Sequence, residues 1–229
     1  IRKHHSFPIL PISPQLGVIE NNTFHEQSLL GAKFVGVDFI VNVIENSHGH
    51  IMDVVAGDLE EAHKKGVEKC TEIWTYNVSE KMDIVITSPG GYPKDINLHQ
   101  SQKAIAPCEL VLKENGVIIL VAECSDGPGK IPTWFEGEKS PQDVVDKFVR
   151  DGWSPKVHAK PFLLARPLSN YRVITVCEGI EKELLEDMFM IYSDSLQNAF
   201  EKALSIAGVD DPSILILPYA GDVIPKVKK

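Results

Sequence analysis

Val117-Ile118-Ile119-Leu120-Val121-Ala122 is an unbroken apolar run, and Ile84-Val85-Ile86, inside Asp83–Thr87, is a second. Neither alternates with polar residues, so neither reads as a strand with one face in water. Continuous short runs of this kind suit strands buried on both faces of a parallel sheet. Further strand candidates are Val35–Ile44, Ile51–Val55, Glu72–Tyr76, Arg172–Cys177 and Ile214–Leu217. Helical patterns lie between them at 23–31, 59–68, 95–113, 141–150, 182–190 and 194–207. This alternation predicts a layered α/β fold: a mostly parallel sheet with helices on both faces. Asn46–Gly49, between two apolar runs, reads as a hairpin and leaves room for an antiparallel pair, making the sheet mixed.

The two decisive runs also end alike. Strand 83–87 runs into Ser88-Pro-Gly-Gly-Tyr-Pro-Lys-Asp95, and strand 117–122 into Glu123-Cys-Ser-Asp-Gly-Pro-Gly129. Ligands of open α/β sheets collect outside the carboxyl ends of strands. Glycine lets backbone approach a ligand closely, and a helix start offers free N–H groups to an anion. Ser88, Gly90, Gly91, Tyr92, Asp95, Glu123, Ser125 and Gly127 are therefore candidate site-loop residues. Glycine-rich loops without function are also common, and the pattern names no ligand.

Composition narrows the classes. The chain has 229 residues and a formal net charge of −9. That acidic balance argues against general binding to nucleic-acid phosphates. No apolar run approaches the ~18 residues a membrane span needs. Cys70, Cys108, Cys124 and Cys177 are widely spaced and form no CxxC pair. Neither a zinc ribbon nor a disulfide scaffold is indicated, and a reducing cytoplasm is the simplest setting. The chain opens on Ile1 and is expected to be a processed form or a fragment.

Helical phase at 100° per residue places Leu98, Ile105, Cys108 and Leu112 on one arc, the expected core face. Gln100 and Lys103, three apart, fall together on the opposite arc. Exposed Gln and Lys are usually only solvated; beside a glycine-rich loop they could instead face a partner domain across a cleft. His48 and His50 form an HxH pair without a third ligand nearby, which is a poor metal site. His4 and His5 are adjacent near the start; His25, His63, His99 and His158 are isolated.

Ser88-Pro-Gly-Gly-Tyr-Pro-Lys-Asp-Ile-Asn-Leu-His-Gln-Ser-Gln-Lys103 resembles the signature of the nickel-pincer lactate racemase family, and so does Val121-Ala-Glu-Cys-Ser-Asp-Gly-Pro-Gly129. Weaker similarities are Gly36–Asn42, Val55–Asp58, Ala62-His63 and Gly17…Asn22…His25-Glu26. The resemblance implies two α/β domains with the active site between them. It implies that 1–21 is a lead-in from the N-terminal domain and 22–229 the C-terminal α/β domain. It places substrate-binding roles on Gln100 and Lys103. It carries the nickel-ligand role onto His5, with His4 the neighbouring alternative. The tethering lysine loop and the catalytic histidines of the family have no match in this chain, so no catalytic residue is expected in it. Trp153, His158 and Lys160 receive no assignment.

The implied activity is racemisation of a lactate-like 2-hydroxy acid by reversible α-hydride transfer to a nickel pincer nucleotide. The missing N-terminal domain would hold most of that cofactor. The chain alone is expected to be inactive and not to retain the cofactor; its partners are its own N-terminal domain and a small 2-hydroxy acid. Two other readings compete. One is a non-catalytic ligand-binding or interaction domain that keeps the fold. The other is a metal-binding protein using His4, His5, His48 and His50.

Overall fold

The computed structural model describes residues 16–151 and 159–228. The amino-terminal layer is helical and hairpin in character. Helix α1 (Thr23–Val35) is capped by Asn22 and closed by Gly36 in the left-handed region. Strands β1 (Ile40–Glu45) and β2 (Ile51–Gly57) pair antiparallel, and α2 (Leu59–Trp74), capped by Asp58, packs against them. Strand β3 (Thr75–Val78) leads out of this layer and pairs in parallel with the last strand, β9 (Ile224–Val227).

The main body begins at β4 (Met82–Thr87). Short helices α3 (Leu98–Ser101) and α4 (Ile105–Glu109) follow, then β5 (Leu112–Val121), α5 (Pro141–Asp151), α6 (Ala159–Asn170) and β6 (Arg172–Val176). The remaining elements are α7 (Lys182–Asp187), β7 (Ile191–Ser193), α8 (Leu196–Ala207) and β8 (Ile214–Leu217). Five strands form one sheet in the order β7-β6-β5-β4-β8, with every neighbouring pair parallel.

Alternation on the central strands explains why their sequence is apolar throughout. Ile84, Val117, Ile119 and Ile174 point to one face, where Ala199 and Ala203 of α8 cover them. Val85, Ile118, Leu120 and Val173 point to the other, against Ile105 and Cys108 of α4, Phe148 of α5 and Leu164 and Leu168 of α6. The expected parallel sheet with helices on both faces is thus present. The hairpin around Asn46–Gly49 is also present, but as a separate two-stranded sheet, so the central sheet is not mixed.

Several boundaries differ from the sequence reading. The stretch 95–113 is not one helix. Pro107 has no N–H to donate back one turn and its ring crowds the carbonyl there, so it fits only the first turn of a new helix. The chain accordingly breaks into α3, a 3₁₀ turn at Gln102–Ala104 and α4. Leu112, expected on the helix, starts β5. Helix α1 consumes Val35 and α2 consumes Glu72–Trp74, both read as strand. Helix α6 and strands β7 and β9 were not expected: α6 contains Pro161 and Pro167, and both strands are short. Among the described residues no helix is long and apolar enough to cross a membrane.

At the amino end of the sheet, Asp83 joins three strands. Its carboxylate accepts from Lys113 Nζ at 2.8 Å, from Ser213 Oγ at 2.7 Å and from Ser213 N at 2.8 Å. The Lys113 and Ser213 donors lower its pKa from 3.8 to about 2. A carboxylate whose folded pKa is depressed stabilises the fold above its unfolded pKa and loses that contribution as pH falls through the folded value. Stability is therefore expected to drop between pH about 4 and about 2, and Asp83→Asn should flatten that limb. Urea midpoints measured across that range check it; an identical acid limb in the variant would remove Asp83 from the account.

Candidate functional site

Strand order and helix placement define where a site belongs. The connections from β4 through β7 run one way across the sheet and keep α4 to α7 on one face; α8 crosses on the other and returns β8 to the far side of β4. Loops therefore diverge at the carboxyl end of β4, the position where open α/β sheets bind ligands.

The two glycine-rich loops meet there. Cys124 N–H donates to Asp95 O at 2.9 Å, Asp126 N–H to Ile96 O at 2.7 Å and Leu98 N–H to Gly127 O at 3.1 Å. A third segment, after β8, joins them: Ala220 N–H donates to Ser88 O at 3.0 Å, and Lys94 pairs with Asp222 at 2.6 Å. Gly90, at φ +107, lies under Tyr219; a Cβ there would sit 2.8 Å from that ring. Residues 218–222 were not anticipated from sequence, because nothing in Pro-Tyr-Ala-Gly-Asp links them to a loop 130 residues earlier.

Asp95 is 8% exposed, and its Oδ1 has no partner among the described residues, while Oδ2 receives only a long bond of 3.4 Å from Glu123 N. Glu123, Ser125 and Tyr92 are exposed, and Ser88, Gly90, Gly91 and Gly127 are half-buried. All eight expected loop residues thus border one end of the sheet.

Gln100 and Lys103 are brought together as the helical phase predicts, although the helix between them is broken. Asn97 caps α3 by accepting from Gln100 N at 3.0 Å. Thr87, at the tip of β4, donates its hydroxyl to Ala104 O at 3.0 Å and pins the following turn. Leu98, Ile105 and Cys108 are buried beneath. On the outer side Lys103 Nζ donates to Gln100 Oε1 at 2.6 Å. That bond orients the Gln100 amide so that its NH₂ group is left to donate, beside an ammonium with further N–H groups. The combination suits a carboxylate.

Lys160, unassigned from sequence, joins this group. It is half-buried near the start of α6, which packs on α4. Burial lowers its pKa, and the positive charge of Lys103 lowers it further. The Lys160 ammonium therefore lies within electrostatic reach of Lys103. No local pattern signals this, because Lys103 and Lys160 are far apart in sequence.

His25 and His63 also meet: their rings stack with centroids 5.0 Å apart, in a cavity of about 360 Å³ between α1 and α2. Burial, and secondarily His25, lowers the His63 pKa. His48 and His50 sit in the hairpin turn with ring centroids 6.2 Å apart. His4, His5, Trp153 and His158 lie outside the described residues. Among the described residues no three His, Cys, Asp or Glu side chains group together closely enough to hold a metal ion.

Residues 78–224, from the end of β3 into β9, match the family model described as the lactate racemase C-terminal domain. The chain belongs to this family. A lactate racemase from Thermoanaerobacterium thermosaccharolyticum is 40% identical over 216 residues, covering 93% of this chain and 50% of the relative. A lactate racemase from Lactiplantibacillus plantarum is 29% identical over 220 residues, covering 92% of this chain and 50% of the relative. The structure of the lactate racemase apoprotein from T. thermosaccharolyticum superimposes with a TM-score of 0.89 at 39% identity, covering all of this chain and 55% of that one. The chain spans about half the length of the curated relatives it matches.

Proposed function

We propose that this chain is the substrate-orienting half of a 2-hydroxy-acid racemase, with lactate as the type of substrate. The observation that carries the reading is the Gln100–Lys103 pair, held over a three-loop junction in a chain 40% identical to a lactate racemase. In this reading Lys103 and Lys160 attract the substrate carboxylate and the Gln100 amide orients it. The glycine loops let the reacting end approach backbone without a side chain intervening. Inversion needs a hydride acceptor at the α-carbon, which a nickel pincer nucleotide supplies when bound. The described residues fit the substrate better than the metal, since they offer cationic and amide donors but no grouped metal ligands. His5 remains the proposed nickel ligand from this chain. The cofactor's main seat and the catalytic histidines belong to the other half of the protein.

Exposed apolar surface supports a partner of that kind. On the β1–β2 hairpin Val41, Val43, Met52 and Val54 are 47–62% exposed, and Phe34 at the end of α1 is 93% exposed. A two-stranded hairpin is marginal by itself, and apolar patches of this extent mark contact surfaces. In our reading the remaining half of the longer protein covers this face. A reducing compartment suits the four free thiols.

The direct test is interconversion of lactate enantiomers by the full-length, cofactor-loaded protein, followed by chiral chromatography. Conversion of D- to L-lactate and back is the expected result. Absence of interconversion for any of a panel of 2-hydroxy acids, with the carboxylates still binding, would favour the non-catalytic ligand-binding domain.

A further inference from the structure

Helix α1 is lightly held. None of its side chains is fully buried, and its inward stripe is His25, Leu29 and Ala32, about one helical turn apart and each half-buried. That stripe meets Leu59 and His63 of α2 across the cavity of about 360 Å³, which Ile19 closes from the turn before α1. The His25 and His63 rings bridge the two helices, 22° from parallel with centroids 5.0 Å apart. An ion pair, Lys33–Glu60, bridges them further along, but both of its side chains are exposed, and exposed pairs contribute little. Docking of α1 therefore rests on the half-buried stripe and the ring stack. Such a stack suits neutral imidazoles, because two imidazolium rings in this position would confront each other as like charges.

Charged groups surround the pair without neutralising it. Helix α2 contributes Glu60, Glu61 and Lys64 to the cavity, with Glu60 taken up by Lys33. On the hairpin side of His63, Glu45 lines the adjoining crevice and Asp53 is tied to Lys69. Helix α1 carries Glu26 in its first turn, next to His25. Among the described residues none of these carboxylates forms an ion pair with either ring. Burial is the larger influence on His63 and His25 the second, and both lower its pKa.

We propose that His25 and His63 form a pH-sensitive latch, which docks α1 on α2 while both rings are neutral and releases it in mildly acidic solution. A free imidazole takes its proton near pH 6.5. His63 takes one less readily while docked, so the released state binds protons more strongly. Docking is therefore fully present above that pH and weakens as pH falls below it. Phe34, 93% exposed, sits near the end of α1, so release also displaces an apolar side chain of the face assigned above to the other half of the protein. That consequence rests on the proposed function; the latch itself does not.

The test is hydrogen exchange of the full-length protein at pH about 7.5 and about 5.5, on either side of the imidazole range, corrected for the intrinsic pH dependence of amide exchange. The readout is structural, so it stands apart from whether the protein racemises anything. Amides of residues 27–35 should lose about three- to tenfold of their protection at the lower pH, as one proton taken up over one pH unit allows. Amides of α8 should keep theirs. His63→Phe keeps a ring against His25 and takes no proton, so its α1 protection should be the same at both pH values. His63→Gln, the second variant, cannot stack and should lower that protection equally at both. Parent protection that does not change with pH would overturn the latch. So would a loss shared by α8, which would be general unfolding, or a pH-dependent loss that persists in both variants, which would assign the titration to another group.

Discussion

Lys103→Met in the full-length enzyme is expected to lower kcat/KM for either lactate enantiomer by about 10- to 150-fold while leaving the melting temperature nearly unchanged. The substitution keeps most of the side-chain length and removes the charge. A hydrogen bond to a charged group is worth roughly 1.5–3 kcal/mol, and about 1.4 kcal/mol is tenfold in rate. Folding should be little affected because Lys103 is exposed and its ammonium bonds to Gln100, with the core contacts on the opposite side. Lys64→Met on the exposed side of α2 is the control. A second readout separates the electrostatic role from a structural one: without the Lys103 charge, the Lys160 pKa should rise, as reported by NMR of methylated lysines. Unchanged kinetics would return Lys103 to the solvated surface. A Lys160 titration that does not move would mean the two ammonium groups do not share a site.

Gly179→Ala is expected to destabilise the chain by about 3 kcal/mol or more, at or above the upper end of overpacking costs. A Cβ at this position would stand 1.8 Å from the Cys124 carbonyl oxygen and 2.4 Å from its carbon. Those atoms are backbone and cannot swing aside as a side chain would. The Cys124 backbone is also at φ +55 and hydrogen-bonded to Asp95, so moving it disturbs the whole loop junction. Gly31→Ala is the opposite case: nothing lies within 4 Å of its Cβ, and it sits inside α1. Replacing a helical glycine with alanine gains about 0.5–1 kcal/mol. Urea midpoints of the two variants should therefore move in opposite directions. Equal midpoints for Gly179→Ala and the parent would show that the segments after β5 and β6 can separate at little cost.

Local sequence determined the layered class, because runs such as Val117–Ala122 are apolar at every position, short, rich in β-branched residues and bounded by glycine, as strands covered on both faces are. It also determined that two glycine-rich loops end two such strands, and that Gln100 and Lys103 share a side opposite Leu98, Ile105 and Cys108; three-residue spacing survives the change from α- to 3₁₀-helix well enough to keep that pairing. It did not determine where α3 gives way to α4, because periodicity continues through Pro107 while the backbone hydrogen bonds do not.

Tertiary structure alone decided the rest. The β4–β5 order placed the two loops side by side, and the return crossover through α8 set the third loop, with Tyr219 and Asp222, against them. Packing of α6 on α4 put Lys160 within electrostatic reach of Lys103, and the β5–β6 pairing set Gly179 against the Cys124 carbonyl. Each of these neighbours is distant along the chain. A linear pattern carries only the few residues one turn or one strand apart, whereas contacts between layers are fixed by strand order and handed crossovers that no local window contains.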